Sequence, residues 1–113
     1  MKDAKIIGYD PKMLNVYFEG DKIYGFDYRN KFSLSRRLNG VAVAKVYLQG
    51  HTDWVLKFKK LLGHSGILET AYTGEGGFAE NMRFQSRMVV KGYDVDYTGE
   101  FPVFVFLLES MEQ

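Results

Sequence analysis

The sequence predicts an α+β fold made mostly of antiparallel β-structure: a small OB-like barrel or curled sheet with one central helix, Thr52 to Leu62. Three observations predict it. Aromatic residues make up 16% of the chain, from nine Phe, eight Tyr and one Trp, and such side chains favour strands. Several segments alternate apolar and polar residues with a period of two, while residues 52–62 repeat at helical spacing. The order of the segments, strands, then a helix, then a closing strand pair, is that of an OB-like barrel.

The chain of 113 residues fits a single domain, 1–113. With 46% hydrophobic and 26% charged residues it can bury a core and is not of disordered composition. It has no cysteine, which excludes disulfides and thiolate metal sites. Lys5, Asp10, Lys12 and Glu19 break any signal-like apolar stretch in the first twenty residues. The longest apolar run, Phe101 to Leu108, is too short to span a bilayer. A cytoplasmic protein without membrane attachment is the expectation.

Residues 4–9 read as a first strand, stopped by Asp10-Pro11. Residues 13–19 and 22–28 flank Gly20-Asp21, and a two-residue loop with Gly first suits a type II′ hairpin turn. Counting outward, Glu19 faces Lys22 and Phe18 faces Ile23. One face then carries Leu14, Val16, Phe18 and Ile23 as core. The other carries Met13, Tyr17, Tyr24, Phe26 and Tyr28. Residues 29–40 hold Arg29, Lys31, Arg36 and Arg37 and no acid, and read as a short helix ending at Asn39-Gly40 or as a basic loop. Residues 41–48 form a strand with Ala42, Ala44, Val46 and Leu48 on one face; the alanines imply a closely packed neighbour.

The helix has a capping residue in Thr52, an acid at its positive end in Asp53, and Lys59 and Lys60 in its last turn, before Gly63. Trp54, Val55, Phe58, Leu61 and Leu62 share one side, with Leu56 opposite. Residues 67–72 read as a strand and 73–77 as a loop. Residues 82–91 alternate, with Met82, Phe84, Ser86, Met88 and Val90 on one face and Arg83, Gln85, Arg87, Val89 and Lys91 on the other. Residues 92–100 turn. Residues 101–108 are apolar on both faces, as in a central strand, with Pro102 tolerated at its start.

Conventional catalytic patterns are absent from the sequence. His51 and His64 bracket the helix and would stand roughly 20 Å apart along it, too far to share a metal. The stretch from Thr73 to Phe78 is rich in glycine but lacks the Lys-Ser/Thr of a phosphate loop. Asp94, Asp96 and Glu100 read as an acidic turn without EF-hand spacing. Neither a cofactor nor a metal is expected, and the balance leans away from an enzyme.

The basic residues form the strongest pattern. Arg83, Arg87 and Lys91 are the only cations after residue 60 and fall on one face of one strand. With Arg29, Lys31, Arg36 and Arg37 they would make a positive groove, and Tyr17, Tyr24 and Phe26 would offer stacking surfaces for bases. This points to a small non-enzymatic protein that binds a single nucleic-acid strand. The alternative is a protein-interaction module, an inhibitor, immunity-type partner or homo-oligomer subunit, using exposed aromatics and Leu56. Residues 1–60 carry a balance of +6 and residues 61–113 one of −5, so the halves either attract a partner or neutralise each other. The opening, Ile6-Ile7-Gly8-Tyr9-Asp10 followed by Leu14-Asn15-Val16-Tyr17-Phe18 and the hairpin turn, resembles that of KTSC-type small domains over about one fifth of the chain. Residues after Tyr28 depart from it, and it implies no site residue here.

Overall fold

The computed structural model describes residues 4–5, 14–72 and 84–111. Its strands are β1 (Ala4–Lys5), β2 (Leu14–Phe18), β3 (Asp21–Lys22), β4 (Phe32–Arg36), β5 (Ala42–Gln49), β6 (Ser65–Tyr72), β7 (Phe84–Asp96) and β8 (Val103–Ser110). One helix, α1 (Asp53–Lys60), follows β5. The strands form one sheet in the order β1-β4-β5-β8-β7-β6-β2-β3, with every pairing antiparallel. The rest of the expected first strand, residues 6–9, lies outside the described residues, as do the expected loop 73–77 and Met82.

The ladder is open, since β1 and β3 are its two edges. It is strongly curled all the same. The ring of Phe58 on α1 lies 5.4 Å from that of Phe18 on β2 and 5.2 Å from that of Phe106 on β8. Those strands are three places apart, about 14 Å across a flat sheet. Just past β3, Gly25 accepts a bond from the Gln49 amide, and Phe26 bridges Leu48 on β5. One end of the strand order is thereby carried back beside its third member.

The hairpin differs from the expected one. Glu19 (φ 51°) and Gly20 (φ 83°) both adopt left-handed backbone, and Phe18 pairs with Asp21 and Tyr17 with Lys22. This is a type I′ turn centred one residue earlier, equally suited to strand twist. The expected Glu19–Lys22 pair is lost because β6 recruits Glu19. The Glu19 amide donates to the Ile67 carbonyl (2.9 Å), and its carboxylate accepts from the Ile67 amide (3.0 Å). Two-residue shifts of partner preserve the faces, so Val16, Phe18 and Ile23 are buried together as anticipated. The second arm leaves after Lys22. At Gly25 the backbone is left-handed (φ 83°), and a Cβ would overlap the Thr52 side chain.

Residues 32–36 are a strand, in place of the expected helix or loop. Phe32 and Leu34 face the core with Ser33 and Ser35 opposite, and pairing with both β1 and β5 outweighs any helical tendency. Asn39-Gly40 ends a hairpin instead of a helix: the Gly40 amide donates to the Arg37 carbonyl, and Gly40 is left-handed (φ 89°). The strand at 84 runs on to Asp96, past the expected end at Lys91. Lys91 is an extra residue between Val90, paired with Leu108, and Gly92, paired with Leu107. This bulge resets the alternation and turns Tyr93 inward beside Phe104 and Phe106. β8 is central, as its two-sided apolar pattern requires.

Helix α1 lies in the hollow of the curl. Trp54, Val55 and Phe58 are buried, while Leu56 is 60% exposed. Thr52 makes no side-chain cap. Its hydroxyl donates to the Tyr24 carbonyl (3.4 Å), so it fastens the crossing segment to the helix start. The Trp54 indole donates to the Lys22 carbonyl at 3.2 Å. Small Ala42 and Ala44 line the hollow with Val46 and Leu48, all buried. Phe58→Ala is expected to lose about 3–5 kcal/mol in urea unfolding, and Leu56→Ala to stay within about 0.5 kcal/mol. Equal losses at the two positions would remove Phe58 from the centre of the fold.

Candidate functional site

Strand ends of unequal length cut a notch into one end of the sheet. β8 stops at Ser110, opposite Met88, whereas β7 starts four residues earlier at Phe84. On the other side, β5 and the hairpin tip at residues 37–41 reach past β8. The gap is a cavity of about 690 Å³ lined by Arg36, Asn39, Ala42, Phe84, Gln85, Ser86 and Ser110, among others. Its walls are held by hydrogen bonds. The Ser110 hydroxyl accepts from the Ala42 amide (2.8 Å), the Asn39 side chain accepts from the Val41 amide (3.1 Å), and Arg36 Nη1 donates to the Gly40 carbonyl (2.7 Å). A second cavity of about 410 Å³ shares Phe84 and Gln85 with the first and adds Tyr17, Glu69, Thr70 and Ala71. The two adjoin at Phe84 and Gln85, where the inner and outer faces meet at the start of β7, and together outline a candidate groove from Arg36 to Tyr17.

Arg37 and Arg87 flank this groove on the outer face of the sheet. They stand in one cross-strand row, three strand spacings or about 14 Å apart. Arg37 pairs with Glu109 at 3.2 Å, and Arg87 donates to the Ser65 hydroxyl at 3.3 Å. Arg87 is two residues from Gln85 on the same face, about 7 Å along the strand. Arg83 lies outside the described residues. Lys91 is exposed at the bulge.

The remaining predicted residues are elsewhere. Lys31 accepts the Tyr47 amide through its carbonyl, six residues along β5 from Val41, the partner of Arg37. That is about 20 Å from the notch. Arg29 lies beyond it, paired with Asp27 at 3.2 Å. Phe26 is half-buried beneath the Lys31 ammonium, which sits 5.1 Å above its ring. Tyr24 donates to Asp53 at 3.2 Å, and partial desolvation followed by that bond holds its phenol above the ordinary value. The expected single groove therefore divides, with Tyr17, Arg36, Arg37 and Arg87 at one end and Tyr24, Phe26, Arg29 and Lys31 toward the other.

No family model, curated protein or solved structure matches this chain. Among the described residues no helix is long and apolar enough to cross a membrane, and no three His, Asp or Glu side chains come together as a metal site. Phe84, Gln85, Ser86, Asn39 and Ser110 were not anticipated in the site. Their alternation places them on faces, but only the end of β8 turns them into a groove.

At the opposite end, Asp96 accepts from both the hydroxyl (2.6 Å) and the amide (2.8 Å) of Thr98. These bonds, with the charge of Arg29 behind them, hold its carboxyl below the ordinary 3.8. A depressed folded value means that this contribution is present above the unfolded pKa and is lost as pH falls through the folded one. In a carboxyl NMR titration Asp96 should titrate below 3.8, and Thr98→Ala should raise its midpoint toward that value. An unchanged midpoint would show that the Thr98 hydroxyl bond does not form in solution.

Proposed function

We propose that this protein binds a single nucleic-acid strand in the groove between Arg36 and Tyr17. The observation that carries the reading is the shared wall of Phe84 and Gln85, which joins a cation-lined cavity to an aromatic one. Phosphates would lie toward Arg36, Arg37 and Arg87. Bases would stack on Tyr17 and Phe84, since stacking tolerates any base. An OB-like wrap belongs to the same proposal, with residues 25–27 linking the end of β3 to β5; OB-type surfaces commonly take single strands. The setting proposed is the cytoplasm.

A second reading rests on a different observation. Tyr28, Tyr97 and Phe101 are 87%, 75% and 64% exposed, and such side chains are typical anchors in protein interfaces. It proposes a protein-interaction module, with a second copy as the simplest partner. A strictly monomeric mass in sedimentation at high concentration would count against that partner.

Fluorescence anisotropy with a labelled single-stranded oligonucleotide tests the first reading. Affinity should fall with a log–log salt slope of about −2 for three phosphate contacts. The Arg36→Glu, Arg87→Glu double variant should weaken binding by at least about tenfold, and Tyr17→Leu by about 1–3 kcal/mol. Binding that ignores the double substitution would overturn the groove.

A further inference from the structure

A third cavity, of about 260 Å³, opens at the end of the molecule away from the notch, between residues 27–29 and residues 99–103. Its chemistry differs from that of the groove. Tyr28, Phe101, Pro102 and Val103 give it apolar walls; Asp27 and Arg29 form one polar edge, and Gln49, His51 and Glu100 add further polar groups.

The Asp27 side chain is only 5% exposed. Its Oδ2 accepts three bonds, from the Arg29 amide, Arg29 Nε and the Asn30 amide, each 3.2 Å long. Among the described residues nothing donates to its Oδ1. That oxygen is not sealed from solvent either, so its access is through the cavity that Asp27 lines. The guanidinium of Arg29 lies flat on Gly99: a Cβ there would meet Nη1 and Nη2 at 3.2 Å and Cζ at 3.4 Å. Glycine thus leaves room for the guanidinium, and Asp27 holds it through Nε. Its Nη groups donate to no described residue. The result is a fixed carboxylate oxygen beside a fixed donor pair, under apolar walls.

An edge with an acceptor and a forked donor side by side complements a molecule carrying an ammonium and a carboxylate on one carbon. We propose that this cavity binds a free α-amino acid with an apolar side chain. Its carboxylate meets the Nη pair of Arg29, its ammonium meets Oδ1 of Asp27, and its side chain lies against Phe101, Pro102 and Val103. Glu100 at the rim favours the ammonium. Burial of the ligand covers Phe101, which is otherwise 64% exposed. The size of the cavity restricts the ligand to a small molecule, below the usual range for drug-sized sites.

Calorimetry on the full chain tests this with L-phenylalanine and L-leucine, and with the half-ligands 2-phenylethylamine and 3-phenylpropanoate. At least one amino acid should bind saturably, and the two half-ligands should bind at least about tenfold more weakly than L-phenylalanine if that is the one taken up. Arg29→Gln and Asp27→Asn should each weaken binding by about tenfold or more. Phe101 is exposed and outside the core, so Phe101→Ala should fold normally and lose binding as well, which keeps the test decisive if Asp27→Asn fails to fold. An oligonucleotide bound in the groove should not compete. The proposal is overturned if neither amino acid binds in the millimolar range, if phenylethylamine or phenylpropanoate binds as well as phenylalanine, or if Phe101→Ala leaves affinity unchanged.

Discussion

The curl of the sheet depends on one buried ring. Phe58 is fully buried and touches aromatic rings on β2, on β8 and on its own helix at Trp54. Burial of a side chain this size contributes about 1.5–3 kcal/mol, and each well-placed aromatic pair about 0.5–1.5 more. A flat sheet could not deliver Phe18 and Phe106 to the same ring. The helix therefore acts as a former around which the strands bend, and the rest follows from that bend. Ala42 and Ala44 are buried on the face that lines the hollow. Gly25 is glycine because the crossing segment passes against Thr52, and Trp54 reaches the Lys22 carbonyl only because the last strand has come round.

A curled sheet filled by one short helix is still open at its ends. Both cavities that carry functional proposals lie at those ends, where strands stop at different places and loops supply the walls. Loops on a rigid scaffold are the usual location for binding groups. The notch owes its polarity to strand termini, whose backbone is already satisfied by Ser110 and Asn39. The smaller cavity owes its polarity to a tight turn, in which Asp27 organises residues 27–30 through one oxygen and keeps the other available.

Much of this was legible in the residues. The core face of the first hairpin, the buried side of β5, the helix with Trp54, Val55 and Phe58 buried, and the central place of β8 all follow from periodicity, which depends on local geometry alone; Leu62, expected on the same stripe, lies past the helix end at Lys60 and is exposed. What periodicity could not reveal was set by long-range competition. Local counting pairs Glu19 with Lys22, and nothing local announces that β6 claims it. The four cations at 29–37 masked the alternation of Phe32 and Leu34, which is a strand pattern once charge is ignored. Lys91 gave no sign of being an extra residue, and without the bulge Tyr93 would face outward. The candidate groove is half legible: the sequence marks Arg36, Arg37, Arg87 and Tyr17, which lie along it, but its floor exists only because β8 is short.

The division of the basic residues also bears on the charge asymmetry between the halves of the chain. A surface ion pair is worth roughly 0–1 kcal/mol, so Arg37–Glu109 and Arg29–Asp27 do little to hold the fold. Their effect is on what remains outside. Arg37 spends part of its field on Glu109, and Arg29 divides its own between Asp27 and Asp96. Among the described residues Arg36 and Arg87 donate to uncharged partners, a carbonyl and a hydroxyl, and keep their full charge for an external anion. The excess of positive charge in the first half is thus partly cancelled at the end bearing the small cavity, and it persists at the notch. A strand of phosphates, which gains from every uncompensated cation and loses near every carboxylate, would under the proposed reading meet Arg36 and Arg87 at the notch, with Glu69 and Glu109 as the opposing charges nearby. The other end, where Arg29 stands between Asp27 and Asp96 and Glu100 adds a further acid, offers charges of both signs and suits a ligand that is itself neutral overall.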